Sequence, residues 1–280
     1  MKKTTLLWII AIIITLGAAY YQRKTGPTYS KKIEISINDN LYFFYLPRSH
    51  GGPTDCPVSI KISNSFLNGN IFYRRFPTNE PWKKESFIKK GNELVASLPN
   101  QPPAGKLQYY IILTDKGKTT EIAKDSPIII RFKGDVPVII IIPHVLFMFM
   151  AMFLSNLAGL FVIGKIKKYI FYTNLTFIIL IIGGFILGPI MQYYAFGKFW
   201  TGFPIGYDLT DNKTLIAVVS WLIAVLGNIK KGRPYLTLFA SILLLVVYSI
   251  PHSLFGSELD YTTGEITTGF INYFLLPLKF

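Results

Sequence analysis

Apolar residues fall along this chain in five long blocks, interrupted by one stretch of a different rhythm. Thr5 to Tyr20, Val136 to Gly164, Tyr169 to about Ile190, Thr214 to Gly227 and Tyr235 to Ile250 are almost free of charge. Blocks of this kind read as membrane-spanning helices. The fourth is short, so it is extended outward through Asp211, with Thr210 or Asp211 capping its start and Lys213 snorkelling to the surface. In the third, Gly184 and Gly188 lie one turn apart, a spacing that favours close packing of a neighbouring helix.

Between the first and second blocks the period changes from helical to alternating. Ile33-Ile37, Leu41-Leu46, Val58-Ser63, Gly69-Phe76, Leu94-Leu98, Leu107-Thr114 and Pro127-Phe132 are β-branched and aromatic runs separated by Gly, Pro, Asn and Asp. Seven short runs at this spacing predict an antiparallel β-sandwich. The chain therefore divides into an N-terminal anchor or uncleaved signal (1–24), an extracytoplasmic sandwich (28–135), a four-helix membrane domain (136–260) with an outer loop (191–213), and an apolar interfacial tail (261–280) broken by Gly269 and Pro277. Leu16-Gly17-Ala18-Ala19 leaves signal-peptide cleavage open, but Trp8 and the Ile-rich run, with no clear small-x-small site, favour a retained anchor.

The stretch Leu98-Pro99-Asn100-Gln101-Pro102-Pro103-Ala104-Gly105-Lys106-Leu107-Gln108-Tyr109-Tyr110-Ile111 resembles the segment leading into the sixth strand of fibronectin type III and other immunoglobulin-like domains. The resemblance covers the ectodomain alone and implies a fold that presents surfaces to partners. It carries over no catalytic residue. Cys56 is the only cysteine, so the cysteine pair of antibody domains is missing, and no intrachain disulfide or thiolate cluster can form.

Charge gives the blocks a direction. All 15 acidic residues lie within Glu34–Asp135 and Asp208–Glu265, whereas Lys2, Lys3, Lys165, Lys167, Lys168, Lys230, Lys231 and Arg233 flank apolar blocks without acidic neighbours. Under the positive-inside rule those basic turns are cytoplasmic, which puts the N-terminus inside and both the sandwich and the C-terminus outside. Eight of the basic residues behind the net charge of +14 are thus topology markers rather than a mark of nucleic-acid binding. The excess of Lys and Arg over residues 23–135 reads first as solvated surface, then as affinity for anionic headgroups or an acidic partner. The Lys and Ile richness suggests a bacterial cytoplasmic membrane.

Candidate chemistry gathers on the outer side. His144 begins the second span and His252 ends the last, and Asp208, Asp211, Glu258 and Asp260 lie at the same rim. Imidazoles with carboxylates are a ligand set for a divalent metal. With Met148, Met152 and Asn156 continuing the helical face of His144, haem b is the variant. Interfacial residues and core-filling methionines are the plainer account of the same positions. The outer loop, with Gly197, Gly202 and Gly206 among aromatics, reads either as an aromatic belt or as a pocket cap, the cap using Trp200, Tyr207 and Lys213. Phosphate-binding loops, His-Glu-x-x-His and Gly-x-Ser-x-Gly are absent. The leading expectation is a partner-binding subunit of a membrane assembly, docking through the sandwich. The alternative is a metal-dependent or redox membrane enzyme with its active site at the outer rim.

Overall fold

A computed structural model describes residues 3–37, 40–61, 67–251 and 256–268. The chain forms two compact units, one from residues 1–27, 136–257 and 268–280, the other from 28–135 and 258–267.

The first unit is helical. Its elements are α1 (Lys3–Thr25), α2 (Val138–Ile163), α3 (Tyr169–Leu180) continued through a π-helical segment (Ile181–Leu187) into α4 (Gly188–Phe196), α5 (Leu209–Asn228) and α6 (Pro234–Ser249). α1, α2, the continuous Tyr169–Phe196 helix and α5 are long and apolar enough to cross a membrane, and α6 is apolar but shorter. Their outer surfaces expose large apolar side chains such as Ile13, Leu146, Phe171 and Phe239, as lipid-facing helices do. α2, α3, α5 and α6 close into a ring in which each packs on the next, and α1 lies outside against α2 and α6.

Small residues let these helices approach. Ala151, Ala158, Ala217, Ala224 and Ala240 surround Trp221 in the ring core, and a Cβ at Gly159 would collide with Ser241 of α6. Hydroxyls and amides then bridge the helices. Asn156 donates to Thr15 at 3.0 Å, joining α2 to α1, and the hydroxyls of Thr173 and Thr237 lie 2.9 Å apart between α3 and α6. Asn228 ties the turn after α5: its Oδ1 accepts from Tyr169 Oη and Arg233 N, and its Nδ2 donates to Ala224 O. At the same end, Lys3 Nζ donates to Gly164 O at 2.9 Å. The basic residues Lys3, Lys165 to Lys168 and Lys230 to Arg233 therefore share one end of the bundle, and Asp208 and Asp211 sit at the opposite one.

At Gly184 a Cβ would lie 2.8 Å from Thr214 of α5. At Gly188 it would meet only ordinary contacts at 3.6 Å and beyond. The π segment explains the difference: its wider turn breaks the one-turn register that would align the two glycines. Gly183, beside Met148 and Phe147, is the second tight position.

The second unit contains several β-sheets packed as layers, consistent with a β-sandwich. β1 (Lys31–Ile37) and β2 (Asn40–Leu46) form a hairpin. β3 (Ser49–Gly51), β5 (Asn68–Phe76), β6 (Lys83–Ser86), β9 (Lys106–Asp115), β10 (Lys118–Ile122) and β11 (Ile128–Lys133) form one sheet, and β4 (Cys56–Lys61), β7 (Ile88–Lys90) and β8 (Glu93–Leu98) form another. β9 is central, with β5 along one edge and β11 then β10 along the other. Strict alternation sends Cys56, Val58 and Ile60 of β4, Leu94, Ala96 and Leu98 of β8, and Leu107, Tyr109, Ile111 and Leu113 of β9 into one shared core. Tyr109 is fully buried and donates to Pro47 O at 2.8 Å.

Cys56 belongs to this core, and burial pushes its thiol up to about 11. At neutral pH only about one thiol in ten thousand is then thiolate, the nucleophilic form. Iodoacetamide should accordingly leave the folded protein unmodified at pH 7, with labelling rising toward pH 11 rather than near 8.5. Rapid stoichiometric labelling at pH 7 without denaturant would refute the burial argument.

Candidate functional site

The acidic end of the bundle is built by the start of α5. Asp208 is its N-cap: Oδ1 accepts from the backbone N–H of Thr210 (2.7 Å) and Asp211 (3.4 Å). The sequence reading placed the cap at Thr210 or Asp211, but the helix begins earlier, at Leu209. Asp208 Oδ2 accepts from Ser257 N and Oγ at 3.0 and 3.2 Å. Asp211 Oδ2 accepts from Thr201 N (2.6 Å), Thr201 Oγ1 (3.2 Å) and Gln192 Nε2 (3.1 Å). The next residue, Asn212, accepts from Phe203 N at 2.7 Å. Gly202 lies so close that a Cβ would meet Asp211 Cβ at 2.6 Å. The outer loop is thus sewn to the first turn of α5 by carboxylate and amide oxygens.

Both carboxylates are buried, at 4 % and 5 % exposure, and their burial is tolerated because these donors replace water. Lys213, expected to snorkel, is 6 % exposed instead. Its Nζ donates to Ile250 O (2.7 Å) and Pro251 O (3.4 Å) beyond the last turn of α6, where a cation complements the carbonyl end of the helix.

Lys213 also lines a cavity of about 30 Å³ inside the ring, with Met148, Leu180 and Leu244 as apolar walls and Thr214 and Tyr248 as polar ones. That is room for a water molecule or two. Of the expected cap residues only Lys213 reaches it. Trp200 donates to Phe203 O and rests 5.5 Å from the Phe185 ring, and Tyr207 is exposed.

The expected metal or haem constellation does not assemble among the described residues, where no group of three His, Cys, Asp or Glu is placed to hold an ion. His144 turns its Nδ1 to Gly183 O at 3.0 Å, so that nitrogen carries the proton, and Nε2 remains the available ligand atom. His252 lies outside the described residues. Met152 is buried and Asn156 is turned to α1, and the cavity beside Met148 is far too small for a macrocycle.

Glu258 and Asp260 belong to the other unit, which corrects the boundary expected at residue 260. There β12 (Ser257–Leu259) and β13 (Ile266–Thr268) form a hairpin. Leu259 N donates to Ala104 O at 3.1 Å. Glu258, 1 % exposed, forms an ion pair with Lys106 at 3.2 Å. Tyr261 Oη reaches Gln101 Oε1 and Lys106 O at 3.1 and 2.9 Å, and the Arg75 guanidinium lies 4.8 Å from its ring. Gly105 keeps the receiving turn open, since a Cβ there would stand 2.9 Å from Tyr261 Oη. Asp260 holds its own turn through Thr262 N at 2.8 Å, which lowers its carboxyl below the usual range.

Sequence reasoning missed a further cluster, on the outer face of the larger sheet. Phe72 and Tyr110 stack at 4.9 Å, Trp82 meets Tyr110 edge-on at 4.7 Å, and the Arg74 guanidinium lies 4.4 Å from the Trp82 ring. Gln108, with its amide oxygen toward Arg74, accepts from Nε at 2.7 Å. Lys84 pairs in register with Phe72. The alternation of Phe72 and Arg74 with inward Ile71 is the signal that could have found it. No protein-family model matches the chain, and comparison with curated proteins gives no match.

Proposed function

We propose that this protein is a membrane-embedded, partner-binding component of a bacterial envelope assembly, with the basic end of the bundle in the cytoplasm and the sandwich outside. The observation that carries this reading is the Arg74, Trp82, Tyr110 and Phe72 cluster with Lys84 beside it. Trp, Tyr and Arg are the residues that dominate protein interfaces, and rigid rings bind at low entropic cost. The bundle's buried charges, by contrast, are used in holding its own loop and helix ends, so it serves as an anchor.

Strand order supports an immunoglobulin-like assignment for the sandwich. β4-β8-β7 matches the B-E-D order of such domains, and β11-β9-β5 matches G-F-C, with the short β3 parallel to β11. The partner surface would be the face of the G-F-C sheet, and its cations fit an acidic protein.

A photocrosslinking amino acid at Lys84 in the full-length protein, activated in native membranes, tests this. A discrete adduct is expected at position 84, absent from a control probe at Lys90 on the other sheet, and reduced at least fivefold by Arg74→Glu. Adducts indifferent to that substitution, or equal at both positions, would sink the proposal.

A further inference from the structure

The β1–β2 hairpin exposes a second surface of different chemistry. Its inner positions, Ile37, Phe44 and Leu46, enter the sandwich core, with Ile33, Ile35 and Tyr42 packed against it. Its outer positions on β2 are Leu41, Phe43 and Tyr45, which are 55 %, 45 % and 60 % exposed. They follow one another at every second residue, so they form one continuous stripe on one face. Across the ladder they oppose Ser36, Glu34 and Lys32. Lys32 Nζ lies 4.2 Å from the Phe43 ring, and Lys31 adds a second exposed cation at the end of the hairpin. Three large apolar side chains in a row on a sheet's water face run against the usual alternation of a half-buried strand.

We infer that this face lies on the lipid headgroup layer of the membrane that holds α1. Two observations select a bilayer as occupant. The first is chain reach: α1 ends at Thr25 and β1 begins at Lys31, and the connecting residues 26–30 span at most about 20 Å when extended. The strand bearing Lys31 and Lys32 thus follows a helix of membrane-spanning length and apolarity in the chain after a short linker. The second is chemistry. A tyrosine ring with its polar edge and lysines with long apolar stems are side chains that settle at the boundary of water and hydrocarbon; Lys32 stands on the stripe's face opposite Tyr45, and Lys31, next to it at the strand end, is exposed and can reach anionic headgroups. The stripe inserts its side chains shallowly while the strand backbones stay paired with each other.

The test uses the full-length protein in nanodiscs containing anionic lipid, with a single environment-sensitive fluorophore on Tyr45→Cys, Phe43→Cys or Lys89→Cys, the last an exposed control on β7. Buried Cys56 stays unlabelled at neutral pH. Labels at 43 and 45 should be blue-shifted and quenched several-fold more strongly by headgroup nitroxide lipids than the label at 89, with the difference shrinking in purely zwitterionic lipid. Because these side chains point outward, the variants keep the core, and a label on Leu41→Cys checks that one altered site is not responsible. Equal lipid quenching at 43, 45 and 89 overturns the inference. So does efficient disulfide crosslinking of Tyr45→Cys between two copies in vesicles, which would make the stripe a self-association surface.

Discussion

Glu258→Ala is expected to destabilise the sandwich by about 3–5 kcal/mol, the cost of leaving one member of a buried ion pair without its partner. Lys106 and Glu258 side chains are 14 % and 1 % exposed. Burial is the main influence on Lys106: it lowers the ammonium below the usual lysine range, and the attraction of Glu258 only partly offsets it. The lowered value means that the folded unit holds the charged lysine less readily than water does. Its contribution to stability therefore increases as pH rises from the folded pKa to the ordinary lysine value, because across that window the unfolded chain binds more protons. The pair is thus no large net stabiliser, yet breaking it is costly. Lys106→Met with Glu258→Leu should accordingly restore most of the loss. Denaturant unfolding of the parent and both variants in detergent, read by hydrogen exchange of the β9 amides, checks both statements. A Glu258→Ala protein within about 1 kcal/mol of the parent would refute the first.

The second large effect is expected at Asp211. Removing its carboxylate in Asp211→Ala strips the acceptor from Thr201 N, Thr201 Oγ1 and Gln192 Nε2 together. Hydrogen bonds to a charged group contribute about 1.5–3 kcal/mol each and do not add fully, so a loss of about 3 kcal/mol or more is expected. It should be local. Hydrogen exchange and protease cleavage should accelerate across residues 197–208, while the amides around Trp221 in the ring core stay protected. Asp211→Asn, which keeps one oxygen acceptor, should fall between. Uniform exchange across the bundle would show that the loop and the ring unfold as one.

Alternation and apolar length carried most of the architecture. In their described residues the seven alternating runs form strands and the five apolar blocks form helices, because burial on one face imposes a period that needs no partner to be read. The strands that escaped notice are β3, β6, β7, β10, β12 and β13. In β6, Lys83 to Ser86 are all exposed, so edge strands held by backbone pairing alone leave no apolar signature. The π segment is also silent in the sequence, since Gly183-Gly184 reads equally well as ordinary helix. At the acidic end, the residue types were legible but their partners were not. Asp208, Asp211 and Lys213 are all buried, and much of what they meet is backbone of distant residues, whose donors and acceptors have no sequence signal. Glu258 was grouped with His252 by proximity along the chain, whereas folding sends it to Lys106 at the start of β9, far away in sequence.

The return of residues 258–267 to the sandwich sets an order of events during synthesis. Residues 28–135 leave the ribosome before four of the five apolar helices exist, so the sandwich must wait, with Lys106 lacking its counter-charge and the Gly105 turn lacking Tyr261, until the last helix has been made. Its final closure therefore comes after the apolar helices have been synthesised. A chain arrested before Glu258 would carry an unfinished sandwich, with the buried Lys106 ammonium left without its counter-charge.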